Sequence, residues 1–254
     1  MFETLEVSVA GPIGHLWLNR PERLNALSPA MLRELAAAAR WFDGQEALRV
    51  VVVGGRGRAF SAGADLDGFP GLGDAGLREA ADAGRSMADA LEAMRAVTIA
   101  RLQGWCVGGG LVVAAACDLR IASAAARFSI PEVDLGIPLA WGGIPRLVRE
   151  IGPALTKELV MSCREFDTGE ALVAGFLNRV VPETELDPAV QQLAECIAAK
   201  PAVPVVASKR HVNAITAQMV GTARAWSDAD SLIGALQDPE CGRSREAYLK
   251  ARRR

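Results

Sequence analysis

The chain is poor in the side chains that most often carry out chemistry: two histidines (His15 and His211), one tyrosine and five cysteines in 254 residues. The cysteines Cys106, Cys117, Cys163, Cys196 and Cys241 are odd in number and show neither a CxxC pair nor a histidine at ligand spacing. This argues against a disulfide framework and against structural zinc. A net charge of −2 gives no basic excess for nucleic acid. No run approaches the roughly 18 uninterrupted apolar residues that a membrane span needs. The start, MFETLEVSVAGPIGHLWLNR, alternates like a strand and lacks the basic opening and long apolar core of an export signal. The expectation is a soluble, cytoplasmic protein that touches neither nucleic acid nor membrane.

Three familiar loops are missing as well. There is no GxxxxGK[ST] phosphate loop. In GGRGRAFSAGADLDGF, Phe60 stands where a dinucleotide fingerprint needs its third glycine, and Ala59 stands where a GxSxG elbow around Ser61 needs its first. Cys106 and Cys117 have no basic partner in view and read as small core residues.

Half of the residues are apolar, enough for one large core or two modest ones. The stretch from Ile99 to Glu132 organises the rest. An apolar, β-favouring run (Val97 to Leu102) leads through a Gln-Gly-Trp turn and three glycines into an alanine-rich segment ending at Cys117 and Asp118, which reads as strand, glycine turn, buried helix, strand. Two readings of Gly108, Gly109 and Gly110 stand side by side. One is a tight junction that packs closely; the other is a helix start whose unpartnered N–H groups receive an oxyanion. Small residues around Gly63 and Ala64 form a second turn of the same kind.

In chain order, Leu5 to Val9 and Ile13 to Leu18 predict a hairpin about Gly11-Pro12, and Ser28-Pro29 caps a helix whose apolar residues recur from Met31 to Phe42. Val50 to Val53 reads as a strand covered on both faces. Strand alternating with helix predicts an α/β architecture with parallel strands. The glycine-, alanine- and acid-rich segment Asp67 to Gly84 reads as a mobile loop before a helix Ser86 to Met94. VDLGIPLAWGGIPRLVREIG is a loop leading into a helix, and EALVAGFLNRVVP a short helix, a turn at Gly175 and a strand. After about Asp187 only helices are expected (Ala189 to Ala199, Val205 to Ile215, Thr222 to Leu236), with Arg252 to Arg254 a solvated end. This places a domain boundary near 195: a core of residues 1–195 and a helical module of residues 196–254.

Six segments, taken together and in order, carry a resemblance. NRPERLNALS, RVVVVGGRGRAFSAGADL, QGWCVGGGLVVAAACDLRIAS, FSIPEVDLGIP, GGIPRLVREIG and EALVAGFLNRVV resemble the crotonase (enoyl-CoA hydratase/isomerase) superfamily over nearly the whole chain. The resemblance implies a spiral of ββα units with a C-terminal helical trimerisation module, a trimer or dimer of trimers, and an acyl-CoA thioester as substrate. No cofactor is implied, coenzyme A being part of the substrate, and no metal. By position the two amides that grip the thioester oxygen fall on Ala64 and Gly109. The backbone of Ala62, Gly63, Ala64, Asp65 and Leu66 would wrap the adenine and pantetheine, beside Gly108, and Arg23 would meet a coenzyme phosphate.

Hydratases of the family carry two glutamates, one three residues after the middle glycine and one in the later Pro-Glu pair. Here the second is Glu132 and the first position is Val112. Water addition uses both carboxylates, whereas moving a double bond from C3 to C2 requires one shuttle. Family isomerases likewise keep only the second glutamate, and the dienoyl type adds an acid where this chain has Ala140. The expected activity is Δ3→Δ2 enoyl-CoA isomerisation through Glu132. The alternatives are hydration with Glu132 alone or helped by Asp67 or Asp134, and a non-catalytic acyl-CoA binder. Read without the family, Glu132 after Pro131 is a helix first-turn residue, Asp65 and Asp118 are turn holders, and Trp105 and Trp141 are walls.

Overall fold

β1 (Leu5–Ala10) and β2 (Ile13–Leu18) form the expected hairpin, Leu5 opposite Leu18 and the turn made at Gly11 with φ 59°. The computed structural model describes residues 2–68, 73–223 and 228–252. Ser28 caps α1 (Pro29–Asp43): its hydroxyl accepts from the Met31 amide at 3.2 Å, proline opens the first turn, and Met31, Leu32, Leu35, Ala39 and Phe42 face inward.

β3 (Val50–Gly55) is buried along its whole length. With β4 (Val97–Leu102), β6 (Leu119–Ser123) and β9 (Arg179–Val181) it completes a six-stranded sheet in the order β1-β2-β3-β4-β6-β9. Every pairing after the hairpin is parallel, as the alternation of strand and helix predicts. A smaller sheet joins β5 (Trp105–Val107), β7 (Arg127–Ser129) and β8 (Phe166–Asp167). Trp105, expected in a turn, therefore opens a strand.

Because successive side chains of a strand point to opposite faces, the large sheet has two cores. Val51, Val53 and Ala100 join the main one with α1, α2 (Asp74–Ala93) and α3 (Gly109–Ala115). Val50, Val52, Ile99 and Ile121 face Leu186, Val190 and Ala194 of α6 (Leu186–Ala198). Residue 195 lies inside α6, whose buried face belongs to the sheet.

The segment expected as a mobile loop is largely helix: α2 runs from Asp74, preceded by a short 3-10 turn at Leu66–Gly68, while residues 69–72 of that expectation lie outside the described residues. Its inward face is made of Leu77, Ala80, Ala81, Gly84, Met87, Ala88 and Leu91. Four of these seven are alanine or glycine, so an apolar stripe at helical spacing reads as low-hydrophobicity loop. α4 (Gly143–Ser162) is broken at Gly152, and α5 (Thr168–Val173) leads through Gly175 into β9. The C-terminal helices are α7 (Ala202–Met219), α8 (Asp228–Gln237) and α9 (Pro239–Arg252). Residues 224–227 of the expected Thr222 to Leu236 helix lie outside the described residues, as do 253 and 254. α9 was not expected, since its polar composition has little amphipathic pattern.

Candidate active site

Two strand-end turns meet beside α3. The first follows β3 and is held from the NRPERLNALS loop: the buried Asn25 side chain donates to the carbonyls of Arg56 and Ala59, each at 2.9 Å. Ser61 is equally committed. Its hydroxyl donates to the Asn25 carbonyl at 2.8 Å, its amide donates to Trp105 O at 3.1 Å, and its carbonyl accepts from Val107 N at 3.0 Å. It is a buried splice between turn and β5, not a nucleophile.

Leu27 N donates to Gly63 O at 2.8 Å and Asp65 N to Leu27 O at 3.0 Å. In this parallel bridge the bonds use the residues flanking Ala64, so the Ala64 N–H points away from Leu27. Gly63 adopts φ 88°, and a Cβ there would stand 2.8 Å from Val107 O and 3.5 Å from Gly109 N. Only glycine brings the two turns this close.

The three glycines divide the two readings between them. Gly108, at φ 47°, already donates its amide to Ser129 O at 2.9 Å and is spent as an anion donor. Gly110 is packing, since a Cβ on it would lie 2.9 Å from Ser61 Cβ. Gly109 opens α3, where its N–H has no intrahelical acceptor. Gly109 and Ala64 both line one cavity of about 500 Å³.

Glu132 lines the same cavity. It lies in a run of turns that ends before α4 begins at Gly143, so the helix first-turn reading of it does not hold. The residue is 8% exposed, its carboxylate is packed against Gly108, and Oε2 is buried with no hydrogen-bond partner among the described residues. Burial raises its pKa from 4.5 to about 7. Around it the wall is apolar: Leu66, Leu135, Leu139 and the indole of Trp141, which covers Gly109 so closely that a Cβ there would collide with the ring.

Val112 lies outside this lining. It is buried behind it, with Cγ2 only 2.9 Å from where Gly143 would carry a Cβ. Ala62 and Gly63 shape the turn from beneath. Asp65 is buried, and its carboxylate accepts from Arg20 Nη1 at 2.7 Å and from the Asp67 amide at 3.3 Å, the turn-holding part expected of it. Arg23 is half-exposed and paired with Asp67 and Asp65. Asp118 also holds structure, accepting from Thr98 N at 2.7 Å and Lys209 Nζ at 2.6 Å. Asp134 and Trp105 are exposed and line no part of the cavity. Burial raises the thiols of Cys106 and Cys117, the latter to about 12, which leaves both inert.

Sequence reasoning missed Asn25 as a site-builder, whereas Trp141 lines the cavity as the wall expected of it. The motif NRPERLNALS contained the signal for Asn25, which takes a left-handed φ of 55°. The contacts of Trp141 with Gly84 and Gly109, both remote in sequence, are what the structure adds.

Ala64, Gly109 and the buried Glu132 thus meet at one cavity, which makes it the candidate active site. Comparison with known proteins gives the family. The model for enoyl-CoA hydratase/isomerase matches residues 9–253. A probable enoyl-CoA hydratase of Rhizobium meliloti (strain 1021) is 37% identical over 84% of this chain and 82% of that protein. A crotonyl-CoA hydratase of Syntrophomonas wolfei is 33% identical over 99% and 97%. The crystal structure of an enoyl-CoA hydratase/isomerase from Xanthobacter autotrophicus Py2 superposes with a TM-score of 0.88 at 27% identity, covering 100% of this chain and 94% of that one. The chain belongs to the enoyl-CoA hydratase/isomerase family of the crotonase superfamily, and is an enzyme of crotonase fold.

Proposed function

We propose that the enzyme moves a double bond from C3 to C2 of an acyl-CoA thioester, with Glu132 as its single acid–base group. The observation that carries this reading is that Glu132, buried and with Oε2 lacking a hydrogen-bond partner among the described residues, lines one cavity with Ala64 and Gly109. The amides of Ala64 and Gly109 hold the thioester oxygen. Ionised Glu132 takes a proton from C2, the electron pair spreads over C2 to C4 and onto that oxygen, and Glu132 returns the proton to C4, leaving the double bond at C2. A carboxyl whose pKa lies near 7 serves both halves, ionised when it receives the proton and acidic enough to give it back. Each oxyanion donor is worth about 10²–10³ in rate.

Coenzyme A lies over the Ala62 to Leu66 backbone in this reading, with Arg23 turned from its carboxylate partners toward a phosphate. α7 leaves Val212, Ile215 and Met219 on one face, 60–77% exposed, which supports self-association as a trimer or dimer of trimers. A cytoplasmic setting fits five unpaired cysteines.

The relatives named as hydratases favour a second reading, water addition to a 2-enoyl-CoA with Glu132 alone. The test gives purified enzyme 3-enoyl-CoA and 2-enoyl-CoA separately. Consumption of the 3-enoyl substrate, lost in Glu132→Gln with binding retained, supports isomerisation. Fast hydration of the 2-enoyl substrate without 3-enoyl turnover overturns it, and no turnover of either, in wild type, leaves an acyl-CoA binder.

A further inference from the structure

The cavity that holds Glu132 does not end in hydrocarbon. α9 lies across the turns that follow Glu132: a Cβ on Gly136 would collide with the Cys241 main chain, and Arg245 Nε donates to the Leu135 carbonyl at 3.3 Å. This places the Arg245 guanidinium in the wall of the cavity, among Leu232, Leu236 and Leu249. Its Nη2 is buried and has no hydrogen-bond partner among the described residues.

Other interior arginines of this chain are each paired with a carboxylate, although Nε of Arg146 and of Arg149 is likewise buried without a partner among the described residues. Arg120 is paired with Glu150, Arg146 reaches Asp89 at 2.8 Å and Glu92 at 2.7 Å, and Arg149 reaches Glu92 at 2.7 Å. Besides Glu132, the acid lining the cavity is Asp74, which is exposed and accepts from Gln237 Nε2 at 3.3 Å. A guanidinium does not shed its charge. A buried donor on it without an acceptor is destabilising, and that deficit is recovered when an anionic acceptor arrives.

We propose that Arg245 sets the substrate class of the site: the acyl group carries a carboxylate at the end remote from the thioester, and that carboxylate docks on the Arg245 guanidinium. The inference rests on the reading of the cavity as an acyl-CoA site. Glu132 and Arg245 then divide the acyl chain between them. The oxyanion donors and Glu132 work on the carbons next to the thioester, the leucines cover the middle, and the planar guanidinium fork receives the far end. Neutral acyl chains leave Nη2 unanswered and bind less well.

Binding of saturated thioesters, which need no turnover, tests this. Glutaryl-CoA and adipoyl-CoA are compared with pentanoyl-CoA and hexanoyl-CoA by calorimetry on the wild-type enzyme, Arg245→Gln and Arg245→Lys. The expected result is a wild-type preference for the carboxylated member of each pair of about tenfold to a hundredfold, the range for one charge-assisted contact. Arg245→Gln erases that preference while neutral acyl-CoA affinity stays within about twofold, and Arg245→Lys, which keeps charge without the fork, retains part of it. Equal wild-type affinities within each pair overturn the proposal. So does a uniform weakening of all four ligands in Arg245→Gln, which marks a contact to the coenzyme or to the fold. Failure of all four to bind wild type removes the acyl-CoA reading itself.

Discussion

The Glu132 carboxylate rests on the Cα of Gly108, a residue whose φ of 47° and whose contact with Oε1 both exclude a side chain. The same Gly108 sends its amide to Ser129 and so fixes where α3 and the Gly109 N–H begin. One glycine thus sets the spacing between Glu132, the proposed base, and Gly109, the proposed oxyanion donor. Gly108→Ala is expected to displace the carboxylate and lower kcat/KM by about 10²-fold, the scale of a misplacement near 1 Å. Steady-state kinetics beside a circular dichroism spectrum check this; unchanged activity in a folded variant dissociates the two residues.

Titration of Glu132 gives a prediction with two signs. In the proposed mechanism the working base is ionised Glu132, so kcat/KM for isomerisation is expected to rise with pH through about 7 and then level. Stability runs the other way. The folded pKa lies above the unfolded value, so the native state holds the extra proton between 4.5 and about 7, and stability falls as pH rises through that window. The gap corresponds to roughly 3 kcal/mol lost above it. Glu132→Gln removes the ionisation, and is expected to melt higher than wild type at pH 8 and level with it near pH 4. Parallel melting curves at the two values decide the matter.

How much of this was legible in the chain differs from element to element. Hairpin, α1, β3, β4 and β9 follow from local pattern, because each is decided by residues within one strand or helix. Ala64, Gly109 and Glu132 were found through the family resemblance, and the fold brings all three to one cavity. α2 was hidden because alanines and Gly84 carry its inner face. Gly84 is small for a partner far away: the Trp141 indole occupies the space its side chain would need. Val112 shows the same limit from the other side, for its position by spacing is a pocket position and its packing against Gly143 puts it behind the wall.

That wall bears on the missing second glutamate. Val112→Glu would place a charge in the packed space between α3 and Gly143, outside the lining of the cavity. The variant is expected to lose several kcal/mol of stability, as an unpaired buried charge does, without gaining hydration of 2-enoyl-CoA. Thermal melting and a hydration assay check both halves. A stable variant with new hydratase activity would mean that the packing between α3 and Gly143 yields readily.

Trp141 itself is held from behind. Its φ of 62° is unusual for a bulky residue, and three contacts keep the loop there: Arg146 Nη1 donates to the carbonyls of Trp141 at 3.3 Å and Gly142 at 3.2 Å, and the Gly142 amide donates to Asp228 of α8 at 2.8 Å. Arg146 is fully buried and anchored by Asp89 and Glu92. Arg146→Met leaves two carboxylates partly unpaired and two carbonyls without their donor, and is expected to cost about 3–5 kcal/mol, as removal of one partner from a buried ion pair does. Asp228→Asn keeps an acceptor for Gly142 and is expected to cost under about 1 kcal/mol, the scale of one neutral hydrogen bond. If the shelf works as described, Arg146→Met also broadens tolerance for branched acyl chains, because the ring no longer keeps one position over Gly109. Chemical denaturation of both variants, with kcat/KM for a straight and a branched enoyl-CoA, separates the roles: lost stability with unchanged selectivity would make Arg146 a fold residue alone.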